Sequence, residues 1–566
     1  MAAPAAPPAA APAPTPVDAV LRNALRYTIS AREYATLHRY VLSRSRALRR
    51  AAPSPASVDK ALQPRPRPHP RSPPPPDDYN ARAVRHALRV FAATLAAVRG
   101  WEALARRLPG GRPSSSKGGG VAGVRLSASL SCILLLYRLL FRFLCRLRAH
   151  LLDPQVEPFR RRNPHTAAAL TSRYAPAVGA SLAGAALGVY PARQLRVSVA
   201  VYALFRALEF AWNAGEAAGA VWGVRNGRRR DRPWWFGSWM LQPFAFGQLL
   251  HAVAFDGDCF PDTYGSFIFR HSDGYLHPRP PGLSPRVAWP SSADVVRSLA
   301  QMARLNWPPY VSPTMFPGAG AGAPAAAALP AVAPLTAQAH PLIASLSCAA
   351  LHPADPSCLR AYLAFWPASF PPLARALLAL HAALAVLPPR LPALYHRPLA
   401  VARRAVARAL RSAAFAAGAI STAWASLCLF QAVLPRRALA TQRFFLGGFL
   451  AGLWAWVDRR HGRPVFLHSA RASVDCLWKV GVKRRWWRAM RAGDVWLFVA
   501  ALMVTGVVYE RDARAVREAE WRKGLSWIRG EGWRDWSVDD DDDDDDDDGD
   551  GEDGEDGADG NDVKDE

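Results

Sequence analysis

The sequence has few cysteines, few acidic residues outside one segment, and none of the common catalytic motifs. Its seven cysteines are an odd number and are spread widely, mostly inside apolar runs, which excludes the disulfide framework of a small secreted protein. We find no G-x-S-x-G elbow, no P-loop, no dinucleotide-binding glycine pattern and no H-E-x-x-H pair. We expect no enzymatic activity and no cofactor. The absence of motifs does not exclude an enzyme, and a membrane-embedded enzyme, which requires converging His or acidic groups in one cavity, is the alternative.

The amino-terminal segment lacks the continuous apolar core of a secretory signal. Residues 1–16 are instead rich in alanine and proline. We therefore expect no cleavable leader here, and we expect a protein of an intracellular membrane that is inserted by internal segments.

Charge is divided unevenly along the chain. Residues 539–566 include 19 acidic residues and one lysine, so this segment carries −18, whereas the other 538 residues carry +44 and the total is +26. Basic clusters lie at the ends of apolar runs, as in membrane proteins whose loops face anionic headgroups. Because these clusters form no stripe with interleaved aromatic residues, the sequence predicts no nucleic-acid partner.

Apolar segments of helical length recur along the chain. A hydrocarbon core of roughly 30 Å requires about 20 helical residues. Nine candidates lie at about 124–145, 166–190, 195–222, 234–255, 361–388, 408–434, 438–457, 464–482 and 493–510. In the first, Arg138, Arg142 and Arg146 share one helix face, which must meet water, headgroups or protein. The pattern predicts an all-α, polytopic membrane helical bundle whose partner is the lipid bilayer.

Composition divides the chain into six parts. They are basic amphipathic helices with Pro/Gly-rich linkers at 1–120, a first predicted membrane unit at 121–255, a connecting loop at 256–360, a second predicted membrane unit at 361–510, a basic, Trp-rich amphipathic segment at 511–538, and an acidic tail at 539–566. The Pro-rich linker at 51–79 and the tail cannot bury a core, so we expect both to be disordered.

The two predicted membrane units share a short pattern. G-x-x-L-A-G occurs at 179–184 and again at 447–452, and each copy is followed by basic residues, an acid three residues before a tryptophan, a second basic cluster and a final apolar helix. We interpret the pattern as two homologous, roughly four-helix units in the same orientation. A chance similarity of Gly-rich helices is the alternative.

Small residues in both copies predict close helix packing, because backbone proximity supplies the van der Waals contact between helices in lipid. The candidates are Ala180, Gly184 and Gly188, which are four residues apart, and then Gly447, Gly448 and Gly452. We expect each set to form a smooth groove along one helix face. The alternative is that they line a water-filled path.

Two acidic residues lie near the middle of predicted spans. Glu209 follows Arg206 by three residues, and Asp475 precedes Lys479 by four, so each acid shares a helix face with a cation. We interpret both as neutralised pairs that orient helices, since a buried ionisable group in a membrane requires a partner. A polar lining for protons or ions is the alternative.

The connecting loop carries a distinct set of residues before the apolar segment 361–388. These are Cys348, His352, Pro353, Ser357 and Cys358. The set resembles the signature that precedes the first helices of the transmembrane protein 135 family, in its fungal type. The stretches FFLGGFLAGLWAWVDRRHGRP and GDVWLFVAALM are also similar to that family, clearly over about 340–510 and more loosely over about 166–280. The Gly-rich unit has a weaker similarity to the channel family of the mitochondrial inner-membrane translocases.

The resemblance implies an organelle membrane protein, peroxisomal in first place and mitochondrial in second, that supports lipid or metabolite homeostasis or organelle dynamics. It implies lipids or sterols as ligands, and a second copy or other organelle membrane proteins as partners. It establishes no reaction. The alternative function is a translocase-like channel or transporter with a polar seam at Glu209 and Asp475.

The loop residues are also of types that bind zinc. Cys348, His352 and Cys358, with His340 as a fourth candidate, supply sulfur and nitrogen ligands. Zinc motifs usually contain tight cysteine pairs, however, and these spacings are loose. We therefore predict a structural loop cap with no metal, and a redox-sensitive cysteine pair is the alternative.

Overall fold

The computed structural model describes residues 27–40, 42–44, 53–62, 79–107, 119–225, 228–280, 288–312, 329–386 and 391–537. The acidic tail predicted to be disordered lies outside the described residues. Of the Pro-rich linker, the structure describes a part that is helical, Pro55–Leu62. This helix differs from the expected extended linker, because Ser54 Oγ accepts the amide of Ser57 and Pro55 takes the first helical position.

The chain is mostly helical, as expected. In chain order, the α-helices of the described residues are α1 (Ala31–Tyr40), α2 (Pro55–Leu62), α3 (Tyr79–Arg107), α4 (Gly119–Leu152), α5 (Glu157–Arg162), α6 (Pro164–Thr171), α7 (Ala175–Ala180), α8 (Arg193–Ala217), α9 (Leu241–Phe255), α10 (Asp262–Arg270), α11 (Ser292–Arg304), α12 (Ala333–Thr336), α13 (Leu346–Leu351), α14 (Cys358–Ala385), α15 (Leu391–His396), α16 (Pro398–Val433), α17 (Arg443–Gly452), α18 (Arg463–Lys483), α19 (Gly493–Arg511) and α20 (Ala519–Arg529). A small antiparallel ribbon, Val224–Arg225 with Arg228–Arg229, is the one sheet of this part of the chain.

The helices form two compact units, each described here by itself. Compact unit 1 contains residues 1–229 and 492–566, and compact unit 2 contains residues 230–491. Helix α9 therefore belongs to compact unit 2, and α19 belongs to compact unit 1. The sequence-based division at 121–255 and 361–510 placed both helices in the opposite units. The difference arises because α9 packs on α17 and α18, whereas α19 packs on α8 and on the segment that follows α7.

Among the residues that the structure describes, four helices are long and apolar enough to cross a membrane. They are Val121–Leu152 within α4, α14, α16 and α19. The nine spans expected from the sequence are thus reduced to four by these criteria, and residues 175–189 form a shorter apolar helix. The segments at 195–222 and 464–482 become α8 and α18, whose charged residues keep them outside this set.

The two Gly-rich helices change winding partway. Helix α7 continues as a 3₁₀-helix, Ser181–Val189, and α17 continues as a 3₁₀-helix, Leu453–Asp458. A 3₁₀-helix has three residues per turn, so side chains three apart share a face. Ser181, Gly184 and Leu187 are accordingly buried, whereas Gly188 is exposed. Gly188, four residues after Gly184, therefore lies off this buried face, although a methyl group there would lie 3.7 Å from Val495.

The arginine face of α4 meets protein. Arg138 is buried, and its guanidinium donates to the carbonyl of Ile528 at 3.2 Å and to that of Trp527. The same group lies 4.7 Å from the centroid of the Trp527 ring, and Arg142 lies 4.3 Å from that of Tyr79. Of the three environments expected for this face, these two arginines use the protein: Arg138 fixes α20 against α4, and Arg142 contacts α3.

Candidate metal centre and apolar cavity

The signature loop is folded tightly between α13 and α14. Ser357 caps α14 by accepting the amide of Arg360, and its own amide donates to the Asp355 carboxylate at 2.8 Å. The carbonyl of Pro353 accepts the amide of His340 at 2.8 Å. These bonds hold the ends of the loop together, so that Cys348 and Cys358 approach with their sulfur atoms 3.8 Å apart.

A fourth residue, Cys428 of α16, completes this cluster. The ligand atoms of Cys348, His352, Cys358 and Cys428 all lie within 4.8 Å of one another. Cys348, His352 and Cys428 are 8%, 4% and 3% exposed, and Cys358 is partly exposed. Three sulfur atoms and one imidazole nitrogen therefore converge on a point that is largely shielded from solvent.

The sequence did not reveal Cys428 because helix pairing supplies it. Helices α14 and α16 pack along each other, with Leu373 against Ala413 and Ala417. Leu373 contacts Ala413, and Cys358 approaches Cys428. Because Leu373 follows Cys358 by as many residues as Ala413 precedes Cys428, the two helices run antiparallel. The one sequence signal was that the apolar segments 361–388 and 408–434 follow each other along the chain, which favours neighbouring helices.

Hydrogen bonds orient the imidazole of His352 within the cluster. Its Nδ1 lies 2.7 Å from the carbonyl oxygen of Asp355 and donates to it, which directs Nε2 towards Cys428 Sγ at 3.4 Å. Burial lowers the pKa of His352, but the hydrogen bonds with Cys348 and Cys358 outweigh it and raise that pKa to about 10.

His340, which sequence spacing suggested as a fourth ligand, is not in the cluster. Its Nδ1 accepts the amide of Leu342 at 3.2 Å, within a local turn. The loop-cap role predicted for the signature accounts for Pro353 and Ser357, whose contacts are with backbone atoms and the Asp355 carboxylate. The prediction of no metal did not include Cys428, whose thiol changes the chemistry available at this loop.

Compact unit 2 also contains an apolar cavity of about 400 Å³. Its wall includes aromatic residues of α9, α10 and α16, and small residues of α16 and α17. Representative lining residues are Phe246, Tyr264, Phe415, Ala416, Ala419 and Gly448. A cavity of this size with few polar groups is typical of small-molecule sites.

One carboxylate lies in the cavity wall. Asp458, at the end of the 3₁₀-helix after α17, is 3% exposed. Its Oδ2 accepts the Ser412 hydroxyl at 2.7 Å, but its Oδ1 is buried with no hydrogen-bond partner. An unpartnered buried oxygen is costly, so this atom indicates a place for a donor group.

The predicted packing residues are not equivalent. Ala180 and Gly184 are buried in compact unit 1, and Gly188 is exposed. In compact unit 2 all three glycines of the set, Gly447, Gly448 and Gly452, are buried. The structure therefore places five of these six residues at helix contacts.

Both predicted charge pairs come together within their helices. Arg206 Nη1 lies 3.0 Å from Glu209 Oε2 in α8, and Lys479 Nζ lies 2.7 Å from Asp475 Oδ2 in α18. The first pair is extended by Glu518, whose carboxylate is 3.3 Å from Arg206. In the second pair, Asp475 Oδ1 is buried without a hydrogen-bond partner.

Comparisons with known proteins leave the site to be interpreted from its own geometry. No family model matches the chain, and neither a curated protein nor a solved structure matches it. The resemblance to the transmembrane protein 135 family therefore rests on the residues quoted above.

Proposed function

We propose that this protein is a non-enzymatic, multi-pass organelle membrane protein that binds an amphipathic lipid in the cavity of compact unit 2. The observation that carries this proposal is the buried, unpartnered Oδ1 of Asp458 in an otherwise apolar wall. Such a cavity favours a ligand that is apolar over most of its surface and has one hydrogen-bond donor. A sterol with its single hydroxyl group has this chemistry.

Charge in the wall argues against a phospholipid headgroup in the cavity. No lysine or arginine is among the described residues that line it. A phosphate there would face the Asp458 carboxylate with no lysine or arginine to neutralise it, and an unpaired buried charge is strongly unfavourable. The ligand class is therefore a neutral or singly hydroxylated lipid.

The membrane assignment extends to the Gly-rich helices. A rise of about 1.5 Å per α-helical residue and about 2.0 Å per 3₁₀ residue makes each of them roughly 27 Å long, close to the hydrocarbon thickness. Because a 3₁₀-helix rises more per residue, each Gly-rich helix reaches this length with fewer residues than an α-helix would need. We place the protein in the peroxisomal membrane first and the mitochondrial membrane second, on the family resemblance.

We also propose that the two Gly-rich regions are copies of one repeat. In both, a long apolar helix precedes an α-helix that becomes 3₁₀, and a helix with an internal acid–base pair follows. In this interpretation the final helix of each copy, α9 or α19, is exchanged, because each belongs to the compact unit of the other copy. Removal of one final helix is then expected to destabilise the opposite unit.

A channel or transporter is the second candidate function. The observation in its favour is the unpartnered Oδ1 of Asp475, which is a polar atom in the interior of α18. The ion pair with Lys479 weighs against it, since a neutralised carboxylate offers a weaker site for a passing cation. Ion flux measurements on charge-pair variants, described below, separate this function from lipid binding.

Lipid binding is tested with a photoreactive sterol on the purified full chain. Ala416→Phe places a ring in the cavity, whereas Ala402→Phe places the same ring on an exposed part of α16 and is the matched control. We expect labelling of the wild type and the control, competition by unlabelled sterol, and loss of labelling in the Ala416 variant. Equal labelling of both variants would place the lipid elsewhere and contradict the proposal.

Localisation completes the test. A tagged full chain is followed by microscopy and by carbonate extraction of purified organelles. Retention in the carbonate-resistant peroxisomal or mitochondrial fraction supports the assignment. Release as a soluble protein overturns it, whatever the outcome of the labelling experiment.

A further inference from the structure

We propose that Cys348, His352, Cys358 and Cys428 form a zinc-binding site in compact unit 2. This proposal is independent of the lipid function, since none of the four residues lines the apolar cavity. Its basis is the convergence of four ligand atoms of the types that zinc prefers.

Two distances within the cluster match those of a tetrahedral zinc centre, and all ligand atoms lie within 4.8 Å of one another. Zn–S bonds of about 2.3 Å and Zn–N bonds of about 2.0–2.1 Å at tetrahedral angles require S···S separations of about 3.8 Å and S···N separations of about 3.5 Å. The structure has 3.8 Å between the sulfur atoms of Cys348 and Cys358, and 3.4 Å between Cys428 Sγ and His352 Nε2. The ligand atoms are thus already positioned around a common centre.

The second shell is also in place. The hydrogen bond from His352 Nδ1 to the Asp355 carbonyl selects the tautomer whose Nε2 lone pair is available to a metal. The same loop is fixed by the Ser357 amide on the Asp355 carboxylate. Histidines that bind zinc are generally oriented in this way, so the arrangement favours a metal over a simple helix cap.

The ligand set discriminates between metals and against a disulfide. Thiolate and imidazole ligands favour zinc over magnesium and calcium, which prefer oxygen. A disulfide would use two of the three thiols and would leave the third beside the imidazole. Zinc uses all four groups, and binding displaces the thiol protons and the proton on His352 Nε2 to solvent, which leaves three thiolates, a neutral imidazole and Zn²⁺.

Four protein ligands leave no open coordination position, so the site is structural. It connects the end of α13, the signature loop and the start of α14 to Cys428 near the end of α16. These ligands come from separate segments of compact unit 2. Metal loss is therefore expected to release the connecting loop from the α14–α16 hairpin.

The first test measures metal in the full chain, purified in detergent without chelators and incubated with Zn²⁺. We expect about one zinc per chain by mass spectrometry of the metal. Substitution by Co²⁺ should give the visible bands of tetrahedral cobalt and thiolate-to-cobalt charge transfer in the near ultraviolet. Zinc content no higher than that of a Cys348→Ser/Cys358→Ser/Cys428→Ser variant would overturn the proposal.

Matched variants separate ligation from folding. Cys428→Ser and His352→Ala should each weaken zinc binding by at least about tenfold, the lower end of the loss that even outer-shell changes produce. Cys476→Ser is the control, since Cys476 is fully buried in the same unit but outside the cluster. His352→Cys should keep the metal with a shifted cobalt spectrum, because a four-cysteine site also binds zinc. A variant set that binds zinc equally would contradict the assignment.

Thiol mapping distinguishes zinc from a disulfide without any substitution. Alkylation of the native chain should spare Cys348, Cys358 and Cys428 until a strong chelator is added, and a reductant alone should not expose them. A disulfide between any two of the three, found in the non-reduced chain, would overturn the proposal.

Discussion

The two Gly-rich helices have the same sequence pattern but different contacts. In compact unit 2, a methyl group at position 448 would lie 2.7 Å from the carbonyl carbon of Phe246, and one at position 452 would lie 2.7 Å from that of Gln242. In compact unit 1, a methyl group at position 184 would meet only side-chain atoms, at 3.1 Å from Phe498 and Val499. The same residues therefore permit backbone contact in one unit and side-chain contact in the other.

The difference originates in the partner helix. Helix α9 presents its own Gly247, at which a methyl group would lie 2.9 Å from the carbonyl oxygen of Phe445. Helices α9 and α17 therefore approach each other with no side chain between their backbones at these glycines. Helix α19 presents phenylalanine, valine and leucine to the 3₁₀-helix of compact unit 1. A small-residue pattern thus predicts that a helix is packed, whereas the residues of its partner determine how closely.

The largest expected effect is that of Gly452→Ala. The added methyl group would overlap backbone atoms of Gln242 and Pro243, which cannot move without displacing α9. We expect destabilisation of roughly 3 kcal/mol, at the upper end of the range for overpacking. Thermal unfolding in detergent measures it. Gly100→Ala is the control, since nothing lies within 4 Å of a methyl group there, and an equal loss in both variants would refute the backbone contact.

The second largest effect is expected for Arg138→Ala. This substitution tests what stabilises compact unit 1, in which Gly184 meets side chains rather than backbone atoms. The substitution leaves the carbonyls of Trp527 and Ile528 without this donor and removes a cation from the Trp527 ring. Loss of a charged donor from buried acceptors costs about 2 kcal/mol. Proteolysis of α20 and thermal unfolding both report it. Arg125→Ala, on an exposed part of α4, should leave both unchanged, and release of α20 in that control would remove the special role of Arg138.

Gly184→Ala is expected to be milder than Gly452→Ala. The side chains of Phe498, Val499 and Leu502 can rotate by a few tenths of an ångström to accept the methyl group, so we expect a loss of about 1 kcal/mol. Gly188→Ala should be neutral or slightly stabilising, because Gly188 is exposed and alanine has the higher helix propensity. Thermal unfolding of both variants gives the order, and a reversed order would show that the 3₁₀ winding does not set this face.

Sequence patterns were sufficient for the helical class, the apolar segments and the charge pairs. Arg206–Glu209 and Asp475–Lys479 were predictable because both partners of each pair lie on one helix, where spacing determines contact. The exposure of Gly188 was not predictable, since the choice between α and 3₁₀ winding depends on packing rather than on local propensity.

The candidate sites depended on tertiary pairing to a greater degree. Cys428 lies 70 residues after Cys358, and only the register of α14 against α16 brings them together. Asp458 was visible in the sequence as one charged residue at the end of a predicted span, with no sign that one of its oxygens is buried and unpartnered. Long-range register and hydrogen-bond satisfaction are properties of the packed chain, so a single sequence does not contain them in local form.

A smaller, pH-dependent effect is expected at His86 in compact unit 1. Burial and then Arg138 lower the pKa of His86 to about 4, and Arg138 donates to its Nδ1 at 2.6 Å. Arg85 and Arg89 also disfavour its protonation, whereas Glu33 favours it weakly. The unfolded chain therefore binds a proton more readily than the folded chain between about pH 6.5 and pH 4, and stability falls as the pH falls through this window.

His86→Gln should flatten this trend, since glutamine retains an acceptor for Arg138 but does not titrate. Melting temperatures across the pH window measure the slope. Arg125→Gln, on an exposed part of α4 in the same unit, is the control for a general charge effect. An unchanged slope in the His86 variant would assign the acid sensitivity to other groups.

The smallest expected effects are those of removing the charge pairs, and they sharpen the contrast between the units once more. Replacing Asp475 and Lys479 together by leucine removes a pair that has no further ion-pair partner among the described residues, together with the unpartnered Oδ1. Partly exposed pairs contribute about 0–1 kcal/mol, so this double substitution should be neutral or slightly stabilising. Replacing Arg206 and Glu209 by leucine should be mildly destabilising, because Glu518 loses its contact with Arg206 and the Trp521 ring loses the guanidinium.

The same variants decide between the two candidate functions. If the acids line a conducting path, vesicles containing the leucine variants should lose the flux of protons or small cations that the wild type supports. If the pairs only orient helices, flux should be the same for wild type and variants, and labelling by the photoreactive sterol should persist. We expect the second result, since each carboxylate already holds a cation from its own helix. Loss of flux with retained folding would instead favour the transporter and make the sterol a regulator of it or a structural lipid.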